Sequence, residues 1–169
     1  GGIDVLINCA GINRVQLAED LTEENWDAVL DINLKALFLV CQATGRVMIE
    51  KGGGKIINIS SQAGSVAIPF RAAYCSSKGG VDQLTRVLAL EWSKYNINVN
   101  AVAPTFVKTD MTNKMFEDAE FKKFVLGSIP LGRMASPEEV AYPVLFLATE
   151  YADMITGHVL MVDGGWTIK

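Results

Sequence analysis

At 169 residues, half of them hydrophobic and a fifth charged, the chain is long enough for one domain with its own core and too apolar to be disordered. A net charge of −4, with no basic run longer than Lys122-Lys123, argues against nucleic acid or an anionic membrane as a partner. No uninterrupted apolar run reaches ~18 residues and no basic-plus-apolar leader opens the chain, so neither a membrane span nor a secretory signal is expected.

The first element is Val5-Leu-Ile-Asn-Cys-Ala, a strand with almost no polar interruption, expected to be covered on both faces inside a parallel sheet. Gly11 ends it. Thr22-Glu-Glu-Asn then caps a helix, with acids in its first turn. The apolar pattern from Trp26 toward Met48 is amphipathic early and nearly all apolar later. Asn33 falls in the buried part, where a polar side chain needs partners; it reads either as a satisfied core amide or as a site residue. Gly52-Gly-Gly stops the helix. The next strand runs from Lys55 and closes in Ser60-Ser61.

A helix from Ala73 to Trp92 follows, carrying Tyr74 and Lys78. Gly79-Gly80 lies inside it, at a cost of about 1 kcal/mol per glycine, which implies a close neighbour at that point. The strand Ile97-Asn-Val-Asn-Ala-Val-Ala103 stops at Pro104. Residues 105–135 form a long excursion with one short helix near Ala119–Leu126, suited to a substrate lid. Ser136-Pro-Glu-Glu starts a helix that runs to about Thr149. Val159–Val162 is the last strand. Strands alternating with helices predict an α/β fold with a parallel sheet and right-handed crossovers.

Chemistry concentrates between Ser61 and Lys78. A spacing of four puts Tyr74 and Lys78 one turn apart on one helix face, opposite a serine at a strand's carboxyl end. Tyrosine titrates near ~10, too high for a base at neutral pH. An ammonium about 4 Å away, at an effective dielectric of ~20, favours phenolate by roughly 4 kcal/mol, or about 3 pKa units. A helix-surface Tyr–Lys pair beside a serine-rich loop is the plain alternative. Cys9, Cys41 and Cys75 are odd in number and lack metal-like spacing. They read as reduced, mostly buried thiols of a cytoplasmic protein, and no metal site is expected. His158, the single histidine, reads as structural.

Taken together, the motifs resemble the short-chain dehydrogenase/reductase family, and the resemblance runs from Ile3 to Trp166. Asn8-Cys-Ala-Gly11 is similar to its Asn-Asn-Ala-Gly element, with Cys9 in place of the second asparagine. Asn33, in Asp-Ile-Asn-Leu, corresponds to its site asparagine. Ser61 and the Tyr74-x-x-x-Lys78 pair correspond to its serine and Tyr-x-x-x-Lys. Asn98-Val-Asn-Ala-Val-Ala-Pro104 corresponds to the strand before its Pro-Gly element, Thr105 replacing the glycine. Ile129-Pro-Leu-Gly-Arg133, Ile155-Thr-Gly and Val162-Asp-Gly-Gly-Trp166 are similar to its closing segments.

The resemblance implies a Rossmann-like, doubly wound parallel sheet in three layers, of which this chain is the C-terminal part. Residues 1–169 are then one domain, incomplete at its N-terminus, because no Gly-x-x-x-Gly-x-Gly turn is present, and the strand from Val5 is left as a bare apolar edge. Cys9 is expected to be a small buried thiol that fits the space of the asparagine. By the same resemblance, Tyr74 exchanges a proton with the substrate oxygen and Lys78 lowers its pKa. Ser61 bonds the same oxygen, and Asn33 holds a water linking Lys78 to solvent. Asn8, Ala10, Gly11, Tyr74, Lys78, Pro104, Val107 and Thr109 are implied as contacts to NAD or NADP. The implied activity is hydride transfer between nicotinamide and a secondary alcohol or ketone, chiefly of a sugar, sugar acid or polyol. A 3-oxoacyl-carrier-protein reductase is the second reading. An inactive fragment or interaction module is the reading of another class. Arg14, Gln62 and Arg71 are expected to face substrate, and apolar helix faces imply a homo-oligomer, a dimer or tetramer.

Overall fold

The structure, a computed structural model, describes residues 1–168, with the side chains of Asp110, Met111 and Lys114 left out of the description. Four strands, β1 (Val5–Asn8), β2 (Gly54–Ile59), β3 (Ile97–Pro104) and β4 (Val159–Val162), form one sheet in the order β1-β2-β3-β4. All three pairings are parallel. Helices α1 (Glu23–Leu30) and α2 (Leu37–Lys51) connect β1 to β2, α3 (Ala72–Trp92) connects β2 to β3, and α6 (Pro137–Ala148) leads into β4. Two shorter helices, α4 (Asp110–Met115) and α5 (Ala119–Ser128), lie between β3 and α6.

The period-two alternation of the strands divides the core into two layers. Ile56 of β2 with Ile97 and Val99 of β3 face α2 and α3, against Leu37, Cys41, Met48, Val81 and Leu88. Ile57 of β2 and Val102 of β3 point the other way, against Val144 and Leu147 of α6. Helices on both faces of a parallel sheet make this the doubly wound, three-layer architecture expected.

Several expectations change in detail. β1, at the edge of the sheet where the strand it would pair with is missing, is covered on one face only: Val5 is 39% and Ile7 45% exposed, and Cys9 is exposed rather than buried. The long helix is interrupted by a π-helical turn, Asp31–Ala36, between α1 and α2. Together these segments make a run, Glu23–Lys51, that by length and composition alone is apolar enough to cross a membrane, against the expectation from its interrupted sequence. Its Leu37, Cys41 and Met48 are buried against the sheet, the behaviour of a core helix.

Local chemistry explains where the elements stop and start. Thr22 Oγ1 accepts from Asn25 N–H at the start of α1. Gly52, at φ 94°, ends α2 in the left-handed conformation that glycine tolerates. Ser136 and Glu139 form a reciprocal capping box at α6, and Arg133 grips Glu139 with two bonds of 2.7 Å. The Gly79-Gly80 pair has the expected neighbours. A Cβ on Gly80 would lie 2.7 Å from Leu34, and one on Gly79 would lie 3.5 Å from the Gly64 carbonyl oxygen.

Candidate active site

The carboxyl ends of the parallel strands converge on a cleft of about 270 Å³. Gly11 comes from the loop after β1, Ile59 to Gln62 from the end of β2, and Pro104 to Val107 from the end of β3; Tyr74 and Lys78 project from α3. A crevice outside the carboxyl ends of parallel strands is where this architecture places ligands. Of the ten positions the resemblance implies for catalysis and nucleotide contact, Gly11, Ser61, Tyr74, Lys78, Pro104, Val107 and Thr109 line it together, whereas Asn8, Ala10 and Asn33 do not.

Ser61 caps a 3-10 turn over Gln62–Gly64, just beyond the end of β2, instead of closing the strand. Its Oγ accepts from Ala63 N–H at 3.2 Å and donates to Gln62 Oε1 at 2.9 Å. The turn sits tightly on α3, since a Cβ at Gly64 would meet Lys78 backbone atoms at 3.0 Å. That contact holds the serine opposite Tyr74.

The Tyr74–Lys78 pair departs from the electrostatics expected of it. Lys78 Nζ lies 5.7 Å from the Tyr74 ring centroid and donates to the Ile59 carbonyl at 2.8 Å. Burial pushes Tyr74 above its ordinary pKa, while the Ser61 hydroxyl and the Arg71 charge draw it partly back. Lys78 is not among the groups that move it. Burial instead lowers Lys78 itself, to about 8, against the upward pull of Asp82. Desolvation outweighs attraction, because both groups are taken from water together and the cation is spent partly on a carbonyl. Asp82, one turn beyond Lys78 and 4% exposed, receives a 2.5 Å bond from Ser60 Oγ.

Asn33 works one layer behind the cleft. Fully buried in the π-helical turn, it accepts from Ile12 N–H and donates to Ile12 C=O, both at 2.8 Å. It also donates to Ser77 Oγ at 3.1 Å, and Ser77 Oγ donates to the Tyr74 carbonyl at 2.8 Å. The amide thus ties the loop after β1 to α3. Gly11 allows the approach, because a Cβ there would lie 3.4 Å from Asn33 Oδ1 and 3.7 Å from Lys78 Nζ.

Asn8 serves the sheet. Its Nδ2 donates to Asn58 Oδ1 at 2.9 Å, and Asn58 Nδ2 donates to Thr85 Oγ1 at 3.0 Å. Ala10 is exposed. Val107 bridges Ala135, and its carbonyl accepts from Thr112 Oγ1 at 2.5 Å. The Thr109 and Thr112 hydroxyls are 3.1 Å apart, which closes the turn into α4. Two buried polar atoms on lining residues have no hydrogen-bond partner among the described residues: Asn13 Oδ1 and Thr105 Oγ1. Neither was singled out for this from the sequence, because only the folded cleft shows a polar atom left over. Among the described residues no group of acids, histidines and cysteines is arranged to hold a metal.

A nucleotide-fold sheet whose serine, tyrosine and lysine meet in one crevice defines a class, and comparison with known proteins agrees with it. The family profile described as enoyl-(acyl carrier protein) reductase matches residues 1–167. The chain belongs to the short-chain dehydrogenase/reductase family. It is 48% identical to an NAD-dependent glycerol dehydrogenase of Listeria innocua, over 99% of this chain and 65% of that protein. It is 46% identical to a 3-oxoacyl-acyl-carrier-protein reductase of Thermotoga maritima, over 99% of this chain and 68% of that one. A crystal structure of a gluconate 5-dehydrogenase from Burkholderia cenocepacia, in complex with NADP and tartrate, superposes with a TM-score of 0.96 at 37% identity. That match covers all of this chain and 66% of the other. The chain therefore spans about two thirds of the length of the relatives it matches, 65% in the case of the Listeria protein.

Proposed function

We propose that the full-length protein is an NAD(P)-dependent oxidoreductase that interconverts a secondary alcohol and a ketone of a sugar, sugar acid or polyol. The observation that carries this reading is the convergence of Ser61, Tyr74 and Lys78 on one cleft at the carboxyl ends of β2 and β3. Burial keeps the Tyr74 phenol protonated at neutral pH, the state needed to donate a proton to a carbonyl oxygen. Ser61 Oγ holds that oxygen beside the phenol. Lys78 fixes the tyrosine's surroundings and offers donors for ribose hydroxyls. Asn33 keeps the loop after β1 in register with α3. In the oxidative direction the Tyr74 phenol must first give up its own proton, and its phenolate then takes the proton of the alcohol.

The unpartnered Asn13 Oδ1 and Thr105 Oγ1 fit a ligand rich in hydrogen-bonding groups, as a nicotinamide riboside is. Gly11, Pro104, Val107 and Thr109 would line its nicotinamide end, with Asn8 and Ala10 supporting the loop behind. When bound, NAD or NADP supplies or accepts the hydride. Residues 105–135 are assigned as the lid, since Phe106, Val107, Thr109, Thr112 and Met115 all border the cleft.

The exposed Leu39, Val40, Val87 and Leu90 of α2 and α3, and Tyr142, Leu145 and Phe146 of α6, support a homo-oligomer. A monomer mass by light scattering at micromolar concentration would refute that. The three free cysteines support a cytoplasmic setting. The 46% identity to the Thermotoga reductase favours 3-oxoacyl-carrier-protein reduction as the second reading. Both readings are tested by following nucleotide absorbance with the full-length protein, offered polyols, aldonates and a 3-oxoacyl thioester with each nucleotide. Tyr74→Phe is expected to lower turnover at least about 1000-fold while changing nucleotide affinity less than about threefold. Turnover within tenfold of wild type would remove Tyr74 from its role.

A further inference from the structure

Arg71 is a cation in an unusual place. It is 4% exposed, borders the cleft three residues before Tyr74, and forms no ion pair with a carboxylate among the described residues. Its guanidinium rests 5.1 Å from the Phe121 ring centroid and 6.0 Å from that of Phe106. Among the described residues its guanidinium makes one hydrogen bond, from Nη1 to the Pro69 carbonyl, at 3.1 Å. A buried charge normally has a counter-charge. Arg71 moreover occupies the N-cap of the 21-residue helix α3 without a capping bond. The helix dipole favours an anion there and opposes a cation.

The chain bends to keep it there. Phe70 is held at φ 65°, a left-handed conformation costing about 1–2 kcal/mol for a bulky residue. Its carbonyl is fixed by Gln16 N–H at 3.0 Å. Among the described residues the cleft is lined by two buried cations, Arg71 and Lys78, and by no acidic side chain, although the chain carries a net −4. Thr105, 7% exposed and with an unpartnered hydroxyl, borders the same space.

We propose that Arg71 reads a carboxylate on the substrate, so that the protein acts on hydroxy acids of the aldonate kind in preference to the uncharged polyols. This rests on the oxidoreductase reading above. The planar fork of the guanidinium matches a carboxylate with two parallel bonds. The faces of Phe106 and Phe121 hold its plane, and the carboxylate supplies the anion that the α3 N-terminus lacks.

The test compares four- to six-carbon aldonates with the alditols of matching hydroxyl configuration, using full-length protein. Wild type is expected to show kcat/KM at least about tenfold higher for the best aldonate than for its alditol. Arg71→Met is expected to lower that ratio about 100-fold, and Arg71→Lys, which keeps the charge without the fork, by an intermediate factor. A merely structural role for Arg71 would depress both substrates alike and leave the ratio unchanged, which would overturn the proposal. So would a wild type that prefers alditols. Calorimetric titration of the same aldonate into wild type and Arg71→Lys separates the two claims. Arg71-dependent binding without hydride transfer to any alcohol would sink the oxidoreductase reading and leave the anion site standing. Turnover of alditols and aldonates alike, with equal binding by both forms, would do the reverse.

Discussion

Replacing Lys78 with methionine should make the protein more stable at neutral pH. Lys78 is 4% exposed, and burial lowers its pKa from 10.5 to about 8. That depression amounts to about 3 kcal/mol against the charged form. Below pH 8 both the folded and the unfolded chain hold the proton, so the whole deficit is present. Between pH 8 and 10.5 the unfolded chain keeps a proton that the folded chain has released. The unfolded state then binds more protons, and wild-type stability rises with pH. Methionine removes this dependence and keeps most of the apolar stem. It also removes the bond to the Ile59 carbonyl, worth about 1 kcal/mol. The net expectation at pH 7 is a gain of about 1–2 kcal/mol for Lys78→Met, narrowing toward zero by pH 9.5. Urea unfolding followed by tryptophan fluorescence at both pH values measures it. A variant no more stable than wild type at pH 7, with the same gap at pH 9.5, would refute the reasoning that desolvation dominates at this lysine.

Asn33→Ala should leave the Ile12 N–H and C=O and the Ser77 hydroxyl without their buried partner, and cost about 2–4 kcal/mol in chemical denaturation. A loss below 0.5 kcal/mol would mean that the loop after β1 re-forms its bonds elsewhere. Gly45→Ala places a methyl group 2.6 Å from the Trp92 ring, so that the indole must shift. A loss of about 1–3 kcal/mol is expected, accompanied by a change in tryptophan emission. Unchanged emission and stability would show that α2 and α3 separate freely.

Much of this was legible in the sequence because the signals were periodic or spaced. Apolar runs at 5–8, 55–59, 97–103 and 159–162 gave the strands, and the Tyr74–Lys78 interval placed both residues on one helix face. What the sequence concealed depends on depth. Nothing in Val5-Leu-Ile-Asn shows that one face of the strand lies open. The same blindness hid the direction of the Tyr74 pKa, because attraction between neighbours can be read from spacing while the loss of water cannot. The short helix α4 also escaped, since its start depends on Thr109 and Thr112 hydroxyls bonding backbone groups across one turn. Lys78 and Asp82, four apart, were readable as a second spaced pair. Only the fold shows that Asp82 is bound by Ser60.

The π-helical turn at Asp31–Ala36 has a consequence for what sequence change the chain can absorb. A π turn holds one more residue than an α turn, and each residue of a helix advances it by about 100°. Deleting one residue there would leave an ordinary α turn with the helix beyond it in nearly the same phase, because the wide turn absorbs the extra residue. The stripe of Leu37, Cys41 and Met48 would still meet the sheet, but the wide turn that carries the Asn33 amide to the loop after β1 would be lost. A change of length within α2 is different, since it would turn the apolar stripe by that full angle. Among variants of this protein, single-residue gaps should therefore be found at positions 31–36 and be absent from 37–51.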